Sequence, residues 1–309
     1  MKITFYSDDP GNHRFIEPII EKLKQKGYEC ELLVNWQPTT SEIYFFDFCD
    51  NNLISASQEN FADLKQKRVI ARLHSVEAYL GFYKSINWEC VDDLIFVSEH
   101  IKRKCSDVNY PASLKISVIP NGISLDKWTF RERNFDASHT LNGNFGYVGN
   151  IIPQKGLLTF LHYFSSLKLV RPEIKFYLAG LSRLNGREGE YWEYQKNKIG
   201  NIYEEGEISD VNRWLEEKHI TWFIQPSYAE SFSMVIGEAM ACGIKPVIND
   251  FWGSRELWPQ DLIYSNFPEF LKIIESPYES LRYREFVKKH YSLDDVVNSY
   301  EQLLGYYRQ

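Results

Sequence analysis

Apolar residues recur along the chain in two rhythms. In its first part, short runs (KITFYS, CELLVN, IYFFDF, KRVIARL, DLIFVS, KISVIP) alternate with longer segments whose apolar residues fall at helical spacing. In HRFIEPIIEKLKQKG, Phe15, Ile16, Ile19, Ile20 and Leu23 share one face. Lys22, Lys24 and Lys26 crowd its C-terminal end and Gly27 follows as a stop. Strand–helix alternation of this kind predicts a parallel sheet covered by helices on both faces.

IPNG at 119–122 predicts a turn, and the polar stretch 126–144, with Arg131, Glu132 and Arg133, predicts a linker. The alternation then restarts. NFGYVGN, IKFYLAG, IYEEGEI, TWFIQPS, IKPVIND and DLIYSN are the expected strands. Helices are expected over 155–170, near 188–198, in DVNRWLEEKH, over 231–241 and through most of the last forty residues. The fold class predicted is α/β, two tandem Rossmann-like doubly wound domains facing a cleft, with domains at 1–142 and 143–285 and a terminal segment at 286–309. In open α/β sheets ligands bind beyond the carboxyl ends of the strands, so informative residues are sought there.

Composition narrows the function classes. A chain of 309 residues with 44% apolar content can build two cores. A net charge of −7, with neither half basic, argues against nucleic acid as a partner. Cys30, Cys49, Cys90, Cys105 and Cys242 show no metal-ligand spacing and suggest reduced thiols in a cytoplasmic protein. MKITFYSDD suggests a first strand rather than a secretion signal, and no apolar run approaches the ~18 residues of a membrane span.

Two stretches carry candidate chemistry. In YVGNIIPQKG a strand ends at Gly149, Asn150 opens a short loop, and Lys155 stands where a helix begins. A helix N-terminus beside a lysine suits an anion, although a loop lysine is more often simply solvated. In PSYAESFSMVIGEAMACG, Glu230 and Glu238 stand at the head and in the first turns of an apolar helix that Ser231 or Ser233 can cap. Helical rise places Glu238 about 7–10 Å beyond the helix start, roughly the span from a diphosphate to a ribose. Gly237, Ala239, Ala241 and Gly243 permit close approach. The bland alternative pairs Glu238 with a protein cation. His74, after the strand KRVIARL, is by itself more often structural than functional. No D-x-D and no metal-binding histidine spacing occur. Lys102, Arg103 and Lys104, and separately Lys65, Lys67 and Arg68, form basic clusters smaller than the usual lipid-binding size, and a solvated face is the commoner reading.

Taken in order, RLHS, FVSEHIK, IPNGISLDKW, GYVGNIIPQKG, FYLAG and PSYAESFSMVIGEAMACGIKPV resemble the motifs of retaining glycosyltransferases of family 4, of GT-B architecture. The resemblance is fullest over 145–260. It implies a nucleotide-sugar donor domain at 143–285, an acceptor domain at 1–142, and a C-terminal helix that crosses back to the first domain. It implies that Glu238 holds the donor ribose and that Ser231, Phe232 and Ser233 offer backbone N–H groups. Glu230 would contact sugar hydroxyls, and Lys155 would neutralise the leaving phosphate beside Gly149 and Asn150. His74 would reach the donor sugar, and Gly11, Asn12 and His13 would lie near the acceptor. Glu230, Lys155 and His74 are thus the expected catalytic group.

One position departs from the pattern. Family members usually carry Arg where this chain has Asn150, leaving Arg183, Arg187 or Arg255 to supply a second cation. The implied reaction moves a hexosyl-type sugar from a UDP- or GDP-sugar to a hydroxyl of a glycan or lipid-linked acceptor, with retention and with neither metal nor cofactor. A lipid-linked acceptor leaves open a weak peripheral contact with the inner face of a membrane. The alternatives are a non-catalytic nucleotide-sugar or glycan-binding protein and a nucleotide-sugar epimerase of the same architecture.

Overall fold

The computed structural model describes residues 1–8, 10–59, 61–133 and 143–305. The chain divides into two compact units, residues 1–124 with 291–309, and residues 125–290. Residues 134–142 of the expected linker, and the expected boundary at 142, lie outside the described residues. The preceding stretch belongs to the second unit. Arg133 donates its backbone N–H to Ser280 Oγ (2.9 Å) and its guanidinium to the Ile220 carbonyl (2.6 Å), and Arg131 pairs with Glu216.

Strands β1 (Lys2–Tyr6), β2 (Glu29–Leu33), β3 (Ile43–Phe46), β4 (Arg68–Leu73), β5 (Asp93–Phe96) and β6 (Lys115–Val118) form the first sheet. Its order is β2-β1-β3-β4-β5-β6 and its pairings are parallel. Helices α1 (Glu17–Gln25), α2 (Asn51–Glu59), α3 (Phe61–Leu64), α4 (Ser75–Leu80) and α5 (Glu99–Lys104) connect the strands. Every residue of β3 and β5 is buried, as expected of strands covered on both faces.

The second unit holds β7 (Asn144–Val148), α6 (Leu157–Lys168), β8 (Phe176–Ala179), α7 (Gly186–Ile199), β9 (Ile202–Glu204), α8 (Val211–Glu217) and β10 (Ile220–Gln225). It continues with α9 (Met234–Ala241), β11 (Lys245–Asn249), α10 (Ser254–Leu257), β12 (Ile263–Tyr264), α11 (Phe267–Glu275) and α12 (Ser280–Tyr291). The sheet order is β12-β11-β10-β7-β8-β9. Strand order reverses between β7 and β10, so this unit has the dinucleotide-binding arrangement with its switch point at those two strands. Phe145, Phe160, Phe164, Phe176, Trp222 and Phe270 interlock at its centre, with ring centroids 4.9–6.1 Å apart.

The last helix, α13 (Leu293–Gly305), belongs to the first unit. Its Leu293, Val296, Val297, Tyr300 and Leu304 share a core with Ile16, Ile19, Ile20 and Leu23 of the α1 segment. Lys22–Asp294 (2.8 Å) and Lys26–Glu301 (2.6 Å) rim that contact. The backbone enters it through hydrogen bonds from Ile123 N–H to the Tyr291 carbonyl (2.7 Å) and from Leu293 N–H to the Ile123 carbonyl (3.0 Å).

Candidate active site

In the second unit, the loops after β7 and β10 are bound to each other. Tyr228 donates its N–H to the Gln154 carbonyl (2.9 Å), and the Thr159 and Tyr228 hydroxyls are 2.6 Å apart. Gly156 permits this contact. Its φ is +67°, and a Cβ there would lie 2.0 Å from the Pro226 carbonyl oxygen. Lys155, the residue before it, therefore stands over the β10 loop and donates to Glu230 Oε1 at 2.5 Å. The same oxygen accepts from Gln225 Nε2 and Ser227 Oγ, each at 2.8 Å. Three donors on one oxygen fix a half-buried carboxylate. Below it, the buried Tyr147 donates its hydroxyl to the Asn150 carbonyl (2.9 Å), and burial, then the charge of Glu230, pushes its pKa up.

Gly149 closes β7, its N–H bonded to the Ala179 carbonyl (2.8 Å). Phe232 is fully buried against Trp258. The helix expected over 231–241 begins at Met234, and neither serine caps it through a side-chain hydrogen bond. Ser233 takes the N-cap place with φ +66°, a conformation that costs a non-glycine residue energy. Its hydroxyl is buried with no hydrogen-bond partner among the described residues. Glu238 is half-buried, about 6 Å along the helix.

The three arginines offered in place of a loop arginine are not equivalent. Arg255 is committed to Asp250 (2.9 and 3.0 Å). Arg187 lies in the first turn of α7. Arg183 is tied to the Lys155 loop by a short parallel bridge. Ile151 donates to the Leu181 carbonyl (2.9 Å) and Arg183 donates to the Ile151 carbonyl (3.0 Å). Its side chain is exposed and has no ion-pair partner among the described residues.

The first unit gathers polar groups beyond the carboxyl ends of β1, β3 and β4. His74 N-caps α4, its N–H donated to Glu77 Oε1 (3.3 Å), which also accepts from Cys49 N–H (3.0 Å). The imidazole stacks on Phe48 (4.3 Å between centroids), and its Nε2 lies 3.8 Å from Asp47 Oδ1. Asp47 in turn pairs with Arg72, and both side chains are wholly buried. Burial opposes the guanidinium's charge, yet Asp47 and Tyr300 together hold its pKa above the usual value. Arg72 also donates to the Tyr300 hydroxyl of α13 (3.2 Å). Asp50 is buried beside Asp8, and burial, then the charge of Asp8, pushes its pKa up to about 8. Gly11, Asn12 and His13 lie in a 3-10 turn over Pro10–Phe15, and His13 Nε2 is 3.3 Å from the Ser7 carbonyl.

The structure thus joins Lys155 with Glu230 and sets Gly149, Asn150, Ser231, Phe232, Ser233 and Glu238 in the same unit. His74, Gly11, Asn12 and His13 lie in the other. Sequence reasoning missed Gln225, Ser227, Asp47, Arg72, Asp50 and Tyr300. Three of them left a trace, since Asp47, Arg72 and Gln225 stand in otherwise apolar strand runs. Among the described residues, no three His, Cys, Asp or Glu side chains are grouped as metal ligands, and no helix is long and apolar enough to cross a membrane.

The fold and these loops define an α/β protein of two Rossmann-like units, the GT-B class. Residues 142–264, which hold both loops, match the family described as glycosyl transferases group 1. The capsular polysaccharide biosynthesis glycosyltransferase CapM of Staphylococcus aureus is 25% identical over 197 residues, 59% of this chain and 51% of that protein. The UDP-Gal:alpha-D-GlcNAc-diphosphoundecaprenol alpha-1,3-galactosyltransferase of Escherichia coli is 26% identical over 176 residues, 54% of this chain and 45% of that one. The chain thus spans about half the length of the curated relatives it matches. In fold it is similar to HepE of Anabaena, solved in complex with UDP, with a TM-score of 0.78, 17% identity, and coverage of 99% of this chain and 100% of that one.

Proposed function

We propose that the chain is a retaining glycosyltransferase that moves a hexosyl-type sugar from a nucleoside-diphosphate sugar to a hydroxyl of a glycan or lipid-linked acceptor. The observation that carries this reading is the Lys155–Glu230 pair at the switch point, with Glu238 one turn into the helix beyond it. HepE was solved with UDP and UDP-glucose, and the Escherichia coli relative is named for UDP-galactose and a diphosphoundecaprenol-linked acceptor, which favours UDP over GDP.

Lys155 and Glu230 neutralise each other. An arriving diphosphate draws Lys155 to the phosphate, while Gln225 and Ser227 keep Glu230 in place for sugar hydroxyls. Because the pair is neutral beforehand, a dianion calls for another positive group, and we assign that part to Arg183. Ser231, Phe232 and Ser233 present backbone N–H groups at the start of α9, and Glu238 accepts from the ribose hydroxyls. The bond between the sugar's anomeric carbon and the phosphate oxygen breaks as one forms from the acceptor oxygen on the same face. The acceptor's proton passes to the departing phosphate. Fixed cations and N–H dipoles stabilise the negative charge that grows there, commonly the largest catalytic contribution. His74, oriented by Phe48 and Asp47, is proposed to hold a sugar hydroxyl, and the turn at Gly11, Asn12 and His13 to lie near the acceptor.

Calorimetric titration with UDP and GDP, followed by transfer assays across their sugars, tests the reading. UDP binding that is lost in Glu238→Ala is the expected result. Failure of both nucleotides to bind, or their binding undiminished in that variant, would overturn it. Conversion of the donor sugar without transfer would favour the epimerase. Activity is expected to persist in excess chelator, and loss there with recovery on adding manganese would refute the metal-independent scheme.

A further inference from the structure

Strand β4 buries an arginine. Val69, Ile70, Ala71 and Leu73 are fully buried apolar residues, and Arg72 among them is buried to the same degree. Its charge is met by Asp47, just past β3, and by the Tyr300 hydroxyl of α13, 3.2 Å from Nη1. A buried ion pair seldom adds net stability, because desolvating two charges costs about as much as their attraction returns. Packing alone therefore does not account for Arg72. The line of contacts leads from Tyr300 through Arg72 and Asp47 to His74. Phe48 stacks on the imidazole at 4.3 Å, and Phe15 stands 5.6 Å from it. Helix α4 opens with a capping box, in which the His74 side chain meets the Glu77 N–H and the Glu77 side chain meets the His74 N–H. Nδ1 is the ring nitrogen that can reach the backbone of its own turn, so the ring proton is left on Nε2. Nε2 lies 3.8 Å from Asp47 Oδ1, beyond hydrogen-bond length, and has no hydrogen-bond partner among the described residues.

We propose that Asp47 is a positioning residue which Arg72 and Tyr300 hold back from His74, so that the Nε2–H stays open to donate to a hydroxyl of the donor sugar. This rests on the role proposed for His74. The carboxylate orients the ring by its charge, and the guanidinium keeps it from closing onto the ring. Arg72 can do so because its planar fork engages Asp47 and Tyr300 at once. Without the Tyr300 hydroxyl, Nη1 becomes a buried donor with no acceptor, and the guanidinium turns to recover one. Asp47 then crosses the remaining gap of about 1 Å and takes the Nε2 proton as its own hydrogen bond. A hydroxyl on the last helix of the chain thereby decides whether a side chain beyond β4 is available to substrate.

Tyr300→Phe, which removes a single oxygen, tests this in the full chain. The first measurement is the NMR spectrum of the imidazole groups, with the His74 signals identified by their loss in His74→Ala. In Tyr300→Phe the His74 Nε2 proton should move downfield, as a proton does on bonding to a carboxylate, relative to the unsubstituted chain. The second is transfer. Its kcat/KM should fall about tenfold with UDP affinity unchanged, and the same substitution made in His74→Ala should change nothing further. Should Tyr300→Phe fail to fold, Arg72→Lys decides by the same two measurements, because an ammonium keeps the charge beside Asp47 but lacks the fork that also reaches Tyr300. An unaltered imidazole spectrum, or a loss in the His74→Ala background as large as in the unsubstituted chain, would overturn the proposal. The spectrum needs no donor, so it can fail while UDP binding and transfer stand, and the reverse.

Discussion

At the residue scale the decisive contact is the one between Lys155 and Glu230, 75 positions apart. If Lys155 meets the leaving phosphate, Lys155→Ala should lower kcat by roughly 10²-fold or more. Arg183→Ala should act in the same direction, and Arg187→Ala should leave turnover within a few-fold. A double-mutant cycle on kcat/KM should show Lys155 and Arg183 coupled if both meet the same phosphate charge. Strict additivity, or full activity in Arg183→Ala, removes Arg183 from the site.

A second residue-scale expectation concerns Asp50. Its folded value of about 8 lies above the ordinary carboxylate value, so the native state keeps a proton that the unfolded chain has already lost. Stability is then fully present in acid and falls as pH rises from about 4 to about 8, by on the order of a few kcal/mol. Urea midpoints measured at about pH 5 and about pH 8 should show the decline, and Asp50→Asn should flatten it. An unchanged slope in that variant would mean another group is responsible.

At the scale of elements, the strands were legible because parallel strands buried on both faces are nearly continuous apolar runs, as in β3, β5 and β10. The start of α9 was not. Ser231 and Ser233 look like caps, and nothing in SFS betrays a left-handed backbone at Ser233, which delays the helix to Met234. The pairing of Arg72 with Asp47 and Tyr300 was equally hidden. The charged residue in a strand was visible, but its partner on α13 is 228 positions away. What could be foreseen was chemistry local in the chain, and what could not was contact set by topology.

Gly156 offers the sharpest test among the elements. Alanine there must adopt a left-handed conformation and press its Cβ on the Pro226 carbonyl. Gly156→Ala should cost about 2–4 kcal/mol and part the loops that carry Lys155 and Glu230. Denaturant unfolding and nucleotide affinity should both register the change. A variant with wild-type values in both would mean the loops do not depend on this approach.

At the scale of the molecule, the first unit is assembled from both ends of the chain and the second from an unbroken stretch. The terminal helix α13 supplies Val297, Tyr300 and Leu304 to the core of the first unit and a hydroxyl to the buried Arg72. Ending the chain at residue 290 should therefore unfold the first unit while the second keeps its protection. Hydrogen exchange should report rapid exchange in β1 to β6 and slow exchange in β7, β10 and β11. Uniform protection across both units would contradict this.

The same arrangement has a bearing on biosynthesis. Strands β1 to β6 leave the ribosome first, yet the cover for Phe45 and the hydroxyl that Arg72 bonds are translated only after the whole second unit has emerged. The half made earliest is the half completed last, and in between it carries an unroofed apolar face. A nascent chain stalled before residue 291 should accordingly be the species that chaperones hold and proteases cut.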